Sequence, residues 1–99
     1  MSADQKISWY QRWLALDDHR LRVLDTWCDL ERQLERQTGW FALSDAARAQ
    51  IEQASGLSDL DVTLRLVNRR LRRWLRALPT DPTADIAVVT ARLQVAERL

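Results

Sequence analysis

Turn-forming residues are scarce in this chain. Two glycines (Gly39, Gly56) and two prolines (Pro79, Pro82) punctuate 99 residues. β-branched residues are scattered and do not alternate, which leaves little material for the turns and half-buried strands of a sheet. Cys28 is the single cysteine, so no intrachain disulfide can form, and a reducing, cytoplasmic location is the simplest expectation. His19 is the single histidine. On one helix it would lie about 13 Å from Cys28 on a nearly opposite face, too far for a thiol–imidazole pair. One His and one Cys also make a poor zinc site, so Cys28 reads as a small core hydrophobe. No apolar run approaches the roughly 20 residues of a membrane span, and Met1-Ser2-Ala3-Asp4 does not open a signal peptide. Phosphate loops, dinucleotide fingerprints and nucleophile elbows are all missing. Asp25 and Asp29 share a helical face but lack the Glu-x-x-His repeat of a di-iron bundle, and pairing with Arg32 and Arg36 is their simpler role. No enzyme activity, metal or cofactor is expected.

What is present forms helices. A chain that is 46% hydrophobic and 29% charged is ordinary for a globular protein and too rich in core formers for disorder. Its length fits one domain, residues 1–99, with a core modest enough that oligomerisation is expected from the outset. Periodicity near 3.6 dominates and defines an all-α small helical bundle: one long N-terminal helix, a short helix and two further helices. The first is expected over about 5–37, with Ser2 or Asp4 as N-cap and Thr38-Gly39 closing it. Trp40-Phe41-Ala42-Leu43 reads as an aromatic connection plugging the core. Ser44 caps a short helix over about 45–54, ended by Ser55-Gly56. Ser58 with Asp61 reads as a capping box, with Leu57 stapled onto Val62, for a third helix reaching about Leu78. The last helix is expected to start at Asp81-Pro82, or at Thr83 with Asp85 behind it.

The first helix carries two adjoining apolar stripes. Trp9, Trp13, Leu16, Val23, Trp27, Leu30 and Leu34 form one; Tyr10, Leu14, Leu21, Leu24 and Cys28 form the other. Together they cover an arc of roughly 200°, where a helix with one neighbour needs about 100°. The first stripe is therefore the expected oligomer interface, a dimer being the favoured state. Asp17, Arg20 and Glu31 fall inside the arc and need partners: Asp17 and Arg20 can meet at i,i+3, and Glu31 needs an arginine from elsewhere. The last helix also has two stripes, Ile86-Val89-Leu93-Ala96 and Val88-Val95-Leu99.

The third helix carries the one concentrated charge. Arg65, Arg69, Arg72 and Arg76 recur at steps of four, three and four opposite the apolar face Leu60-Leu64-Val67-Leu71-Trp74-Leu75-Leu78, and Arg73 joins them. This face would suit a nucleic acid or an acidic protein partner. With a net charge of only +1, acids such as Asp25, Asp29, Glu31 and Glu35 are equally able to neutralise it.

Ile51-Glu52-Gln53-Ala54-Ser55-Gly56-Leu57-Ser58, followed by Val62-Thr63 and Leu66, resembles the helix-turn-helix of bacterial repressors over about 20 residues. The resemblance implies a DNA-binding element within 45–76, with Ser58 to Arg65 entering the major groove and Arg69 to Arg76 near phosphates. Against the pattern, Glu52 stands where the motif has a small residue. Arg65 and Arg69 occupy usually apolar positions, and Asp59 and Asp61 bring carboxylates to the groove-facing end. The function expected from the residues is thus a non-enzymatic helical module that self-associates and binds a protein partner. Nucleic-acid binding through the arginine face is the second reading, and no membrane association is expected.

Overall fold

The computed structural model describes residues 2–79 and 82–99. It contains helix α1 (Ala3–Thr38), a 3-10 turn (Trp40–Ala42), α2 (Asp45–Ser55), α3 (Leu57–Arg76) and α4 (Ile86–Ala96), with no strand among the described residues. The chain is all-α, with one long N-terminal helix, a short helix and two more, as its periodicity predicts. None of the helices, among the described residues, is long and apolar enough to cross a membrane.

Helix ends follow local chemistry. At the start of α1, Ser2 Oγ accepts a hydrogen bond from the Gln5 amide (3.2 Å), and the Ser2 amide donates to Gln5 Oε1 (2.8 Å). This reciprocal box satisfies two donors that the first turn leaves unpaired. Gly39 closes α1 in the left-handed region (φ 66°), its amide donating to the Glu35 carbonyl at 3.0 Å. Ser44 caps α2 by accepting from the Ala47 amide.

Two expected boundaries are corrected. α3 starts directly after Gly56, so Ser58 lies inside its first turn and cannot be the N-cap. Leu57 is the first residue of the helix, not the residue before its cap from which a staple onto Val62 would start; it is buried while Val62 is exposed. The left-handed Gly56 (φ 86°) ends α2 and turns the chain at once into α3, which sequence pattern alone could not distinguish from a cap one residue later. α4 starts later than expected, capped by Asp85, whose Oδ1 accepts from the Ala87 and Val88 amides at 2.9 and 3.2 Å. Thr83 precedes the helix and accepts from the Asp85 amide; Asp81, the other expected cap, lies outside the described residues.

Packing divides the chain into two compact units, residues 1–19 with 69–99, and residues 20–68. In the first, Tyr10, Trp13 and Asp17 of α1, Leu71 of α3, and Val88, Ala91 and Val95 of α4 are buried. The Tyr10 hydroxyl donates to the Pro79 carbonyl and accepts from Arg92 Nε (2.9 Å), so its one polar atom is satisfied in an apolar setting. Trp13 Nε1 donates to the Leu71 carbonyl. Asp17, only 3% exposed, pairs with Arg98 Nη1 at 3.2 Å. Asp18 shares that guanidinium, and the two carboxylates, Asp18 foremost, hold Arg98 above the ordinary arginine range. Of the two stripes on α4, Val88 and Val95 are buried. Ile86 and Leu93 are 82% and 57% exposed, because the neighbours within this unit cover only the Val88-Ala91-Val95 face.

In the second unit Leu34, Trp40 and Leu57 form a buried cluster, with Trp27, Leu30, Leu43 and Ile51 packed against it. The connection after α1 is pinned from both sides. Glu35 Oε2 accepts from the Phe41 amide (2.6 Å), while Arg48 donates from Nε to the Trp40 carbonyl (3.1 Å) and from Nη2 to the Phe41 carbonyl (2.6 Å). The Arg48 guanidinium also sits 5.6 Å from the Trp40 ring centroid, a cation–π distance. Trp40 plugs the core as expected; Phe41, 59% exposed, does not.

Candidate functional site: the arginine face of α3

The second half of α3 places five arginines among eight residues, 69–76. Arg69, Arg72, Arg73 and Arg76 occupy i, i+3, i+4 and i+7, and together line one concavity of about 300 Å³. All four are exposed, and among the described residues none makes an ion pair. Arg65, one turn earlier, differs: Asp61 Oδ2 lies 2.7 Å from its Nη2 at i,i+4. The uncompensated face is therefore Arg69–Arg76, about 10 Å of helix at 1.5 Å per residue.

Two of the acids expected to neutralise it have other partners. Asp29 pairs with Arg32 at 3.5 Å, and Glu35 holds the Phe41 amide. Glu31 is half-buried and makes no ion pair among the described residues. Residues 1–19 with 69–99 hold nine basic and six acidic side chains, net +3; residues 20–68 hold six and eight, net −2. Cations in the last turn interact favourably with a helix C-terminus, which accounts in part for Arg73 and Arg76. It does not account for Arg69 and Arg72, which lie earlier and repel their neighbours, at a few tenths of a kcal/mol per i,i+4 like-charge pair.

The apolar stripe of α1 is largely committed within the chain. Trp13, Val23 and Leu34 are buried and retain almost no surface for a second subunit; Trp9, Leu16, Trp27 and Leu30 are half-buried. Trp9 lies against Trp74 with centroids 4.8 Å apart, and Trp27 and Leu30 pack on the Leu34–Trp40–Leu57 cluster. An apolar stripe with more exposed surface lies on α4, at Ile86, Val89 and Leu93.

The helix-turn-helix resemblance meets a different geometry. Gly56 alone separates α2 from α3, where that motif has a turn of about three to four residues. Val62 and Leu66, which the motif would bury, are exposed. Arg70, absent from the expected site, faces away from the column and lines a separate pocket with Arg12, Ala15, Leu16, His19 and Trp74. Its signal in the sequence was the i, i+4 pair Arg70–Trp74 matched by Arg12–Leu16–His19 on α1. No family model, curated protein or solved structure matches the chain.

Proposed function

We propose that this chain is a non-enzymatic binding module that docks an acidic protein segment on Arg69, Arg72, Arg73 and Arg76. The observation that carries this reading is the shared concavity of four guanidinium groups without an ion pair. Guanidinium is weakly hydrated and offers a fork of donors, so it meets carboxylates bidentately at modest desolvation cost. A short acidic helix with Glu at i and i+3 or i+4 spans the same two turns as the arginines. A polyanion extending along α3 would instead run onto Asp59, exposed near the head of the same helix, and the net charge of +1 offers it little general attraction.

The test is anisotropy titration of a labelled Glu-rich helical peptide, beside a duplex DNA of similar charge, at several salt concentrations. Saturable peptide binding that weakens with salt is expected, and a triple Arg72→Gln, Arg73→Gln, Arg76→Gln variant should lose at least about tenfold in affinity, roughly 1.4 kcal/mol. Duplex DNA binding more tightly than the peptide at equal salt would transfer the face to the nucleic-acid reading. Binding of neither at low salt would remove both.

A specific observation also favours self-association through α4. Ile86, Val89 and Leu93 are exposed at steps of three and four, continued by Ala96, the spacing of a seam between paired helices. Light scattering should show a concentration-dependent dimer that Ile86→Glu with Leu93→Glu converts to monomer without loss of helicity. A wild-type chain that stays monomeric at high micromolar concentration excludes it.

A further inference from the structure

A second cationic site lies apart from the arginine column. Arg12, Ala15, Leu16 and His19 of α1, with Arg70 and Trp74 of α3, line an open concavity of about 360 Å³, at the lower end of the range of small-ligand sites, about 300–1,000 Å³. Its wall is an indole, a Leu and an Ala. Its polar groups are two guanidiniums and an imidazole, with no carboxylate in the lining. Among the described residues the side chains of Arg12, His19 and Arg70 make no hydrogen bond or ion pair. Trp74 is braced by Trp9 at 4.8 Å, tilted by 49°, so the aromatic wall is held in place before anything binds.

These two chemistries ask for different parts of one molecule. The indole and the aliphatic wall favour a planar ring, since aromatic side chains stack on the π-face of any base. Two guanidiniums supplied by different helices to one lining favour a dianion that can accept from both, which a phosphate does with three terminal oxygens and a single carboxylate does less well. We propose that the pocket binds a nucleoside monophosphate, a small phosphate monoester carrying a planar base, its ring against Trp74 and its phosphate between Arg12 and Arg70, with His19 donating a further hydrogen bond. The site uses none of the side chains of the docking face, so the two assignments stand or fall separately.

Isothermal titration and tryptophan fluorescence of the full chain with adenosine monophosphate provide the test, with adenosine and inorganic phosphate titrated in parallel. Saturable binding of the monophosphate with indole quenching is expected, and each half-ligand should bind at least tenfold more weakly. Arg12→Gln and Arg70→Gln should each raise Kd at least tenfold with the unfolding midpoint unchanged, whereas Arg72→Gln with Arg76→Gln should leave Kd as it was. Absence of saturable binding, phosphate alone binding as tightly as the monophosphate, or affinity unaffected by either pocket variant would each overturn the proposal.

Discussion

Two buried polar side chains carry much of the specificity of residues 1–19 with 69–99. Tyr10 is buried and its hydroxyl joins the Pro79 carbonyl to Arg92, so Tyr10→Phe removes the donor to that carbonyl and the acceptor of the Arg92 Nε bond. A loss of about 1–3 kcal/mol is expected, read as a lower denaturant midpoint at unchanged slope. Asp17 is the buried charged side chain among the described residues, and Arg98 pairs with it. Because Asp18 and Asp17 raise the Arg98 guanidinium above its ordinary range, the pair's stabilisation is present at all lower pH values on that group's account and fades only in strong alkali. Arg98→Ala should lower Tm in the wild-type background and lower it less when Asp17→Asn is already present. Equal losses in both backgrounds would dissociate the two residues.

At the level of elements, the decisive residues are those that stop helices. Gly56 adopts φ 86°, and an added Cβ would meet nothing within 4 Å, so Gly56→Ala carries a purely conformational cost. That cost is about 1–2 kcal/mol. Asp85→Ala removes both acceptor contacts at the head of α4 and should cost about 0.5–2 kcal/mol, seen as faster amide exchange in its first turn.

These ends also mark what could be read from the chain before its structure. Helix existence and order were legible because the 3.6-residue repeats are long and only Gly39, Gly56, Pro79 and Pro82 interrupt them. The start of α3 was not, because a left-handed glycine can end one helix and open the next without the Ser-x-x-Asp box being used. The α1 stripe was legible as apolar, yet nothing in it tells a neighbouring helix of the same chain from a second subunit. The arginine column was legible from spacing alone. Its lack of ion pairs was not, since Asp29 and Glu35 could have reached it until Arg32 and the Phe41 amide were seen to hold them.

On the scale of the whole molecule, α1 and α3 each contribute residues to both packing units. A helix melts cooperatively along its length, so the two units should unfold together although each has its own buried cluster. Val88→Ala and Leu57→Ala, one in each unit, should therefore shift one common transition, by about 1–5 kcal/mol each, with no second step. A biphasic curve in either variant would show two independent folding bodies and would contradict the reading of residues 1–99 as one domain.

The Trp9–Trp74 pair has an optical consequence. Two indoles whose centroids lie 4.8 Å apart and whose planes are tilted by 49° have interacting transition dipoles, so their circular dichroism is expected to show two bands of opposite sign. The resulting dichroic couplet disappears when either ring is replaced. It is a built-in reporter of the register between residue 9 and residue 74, requires no label, and is sensitive to anything that comes to rest against the second indole.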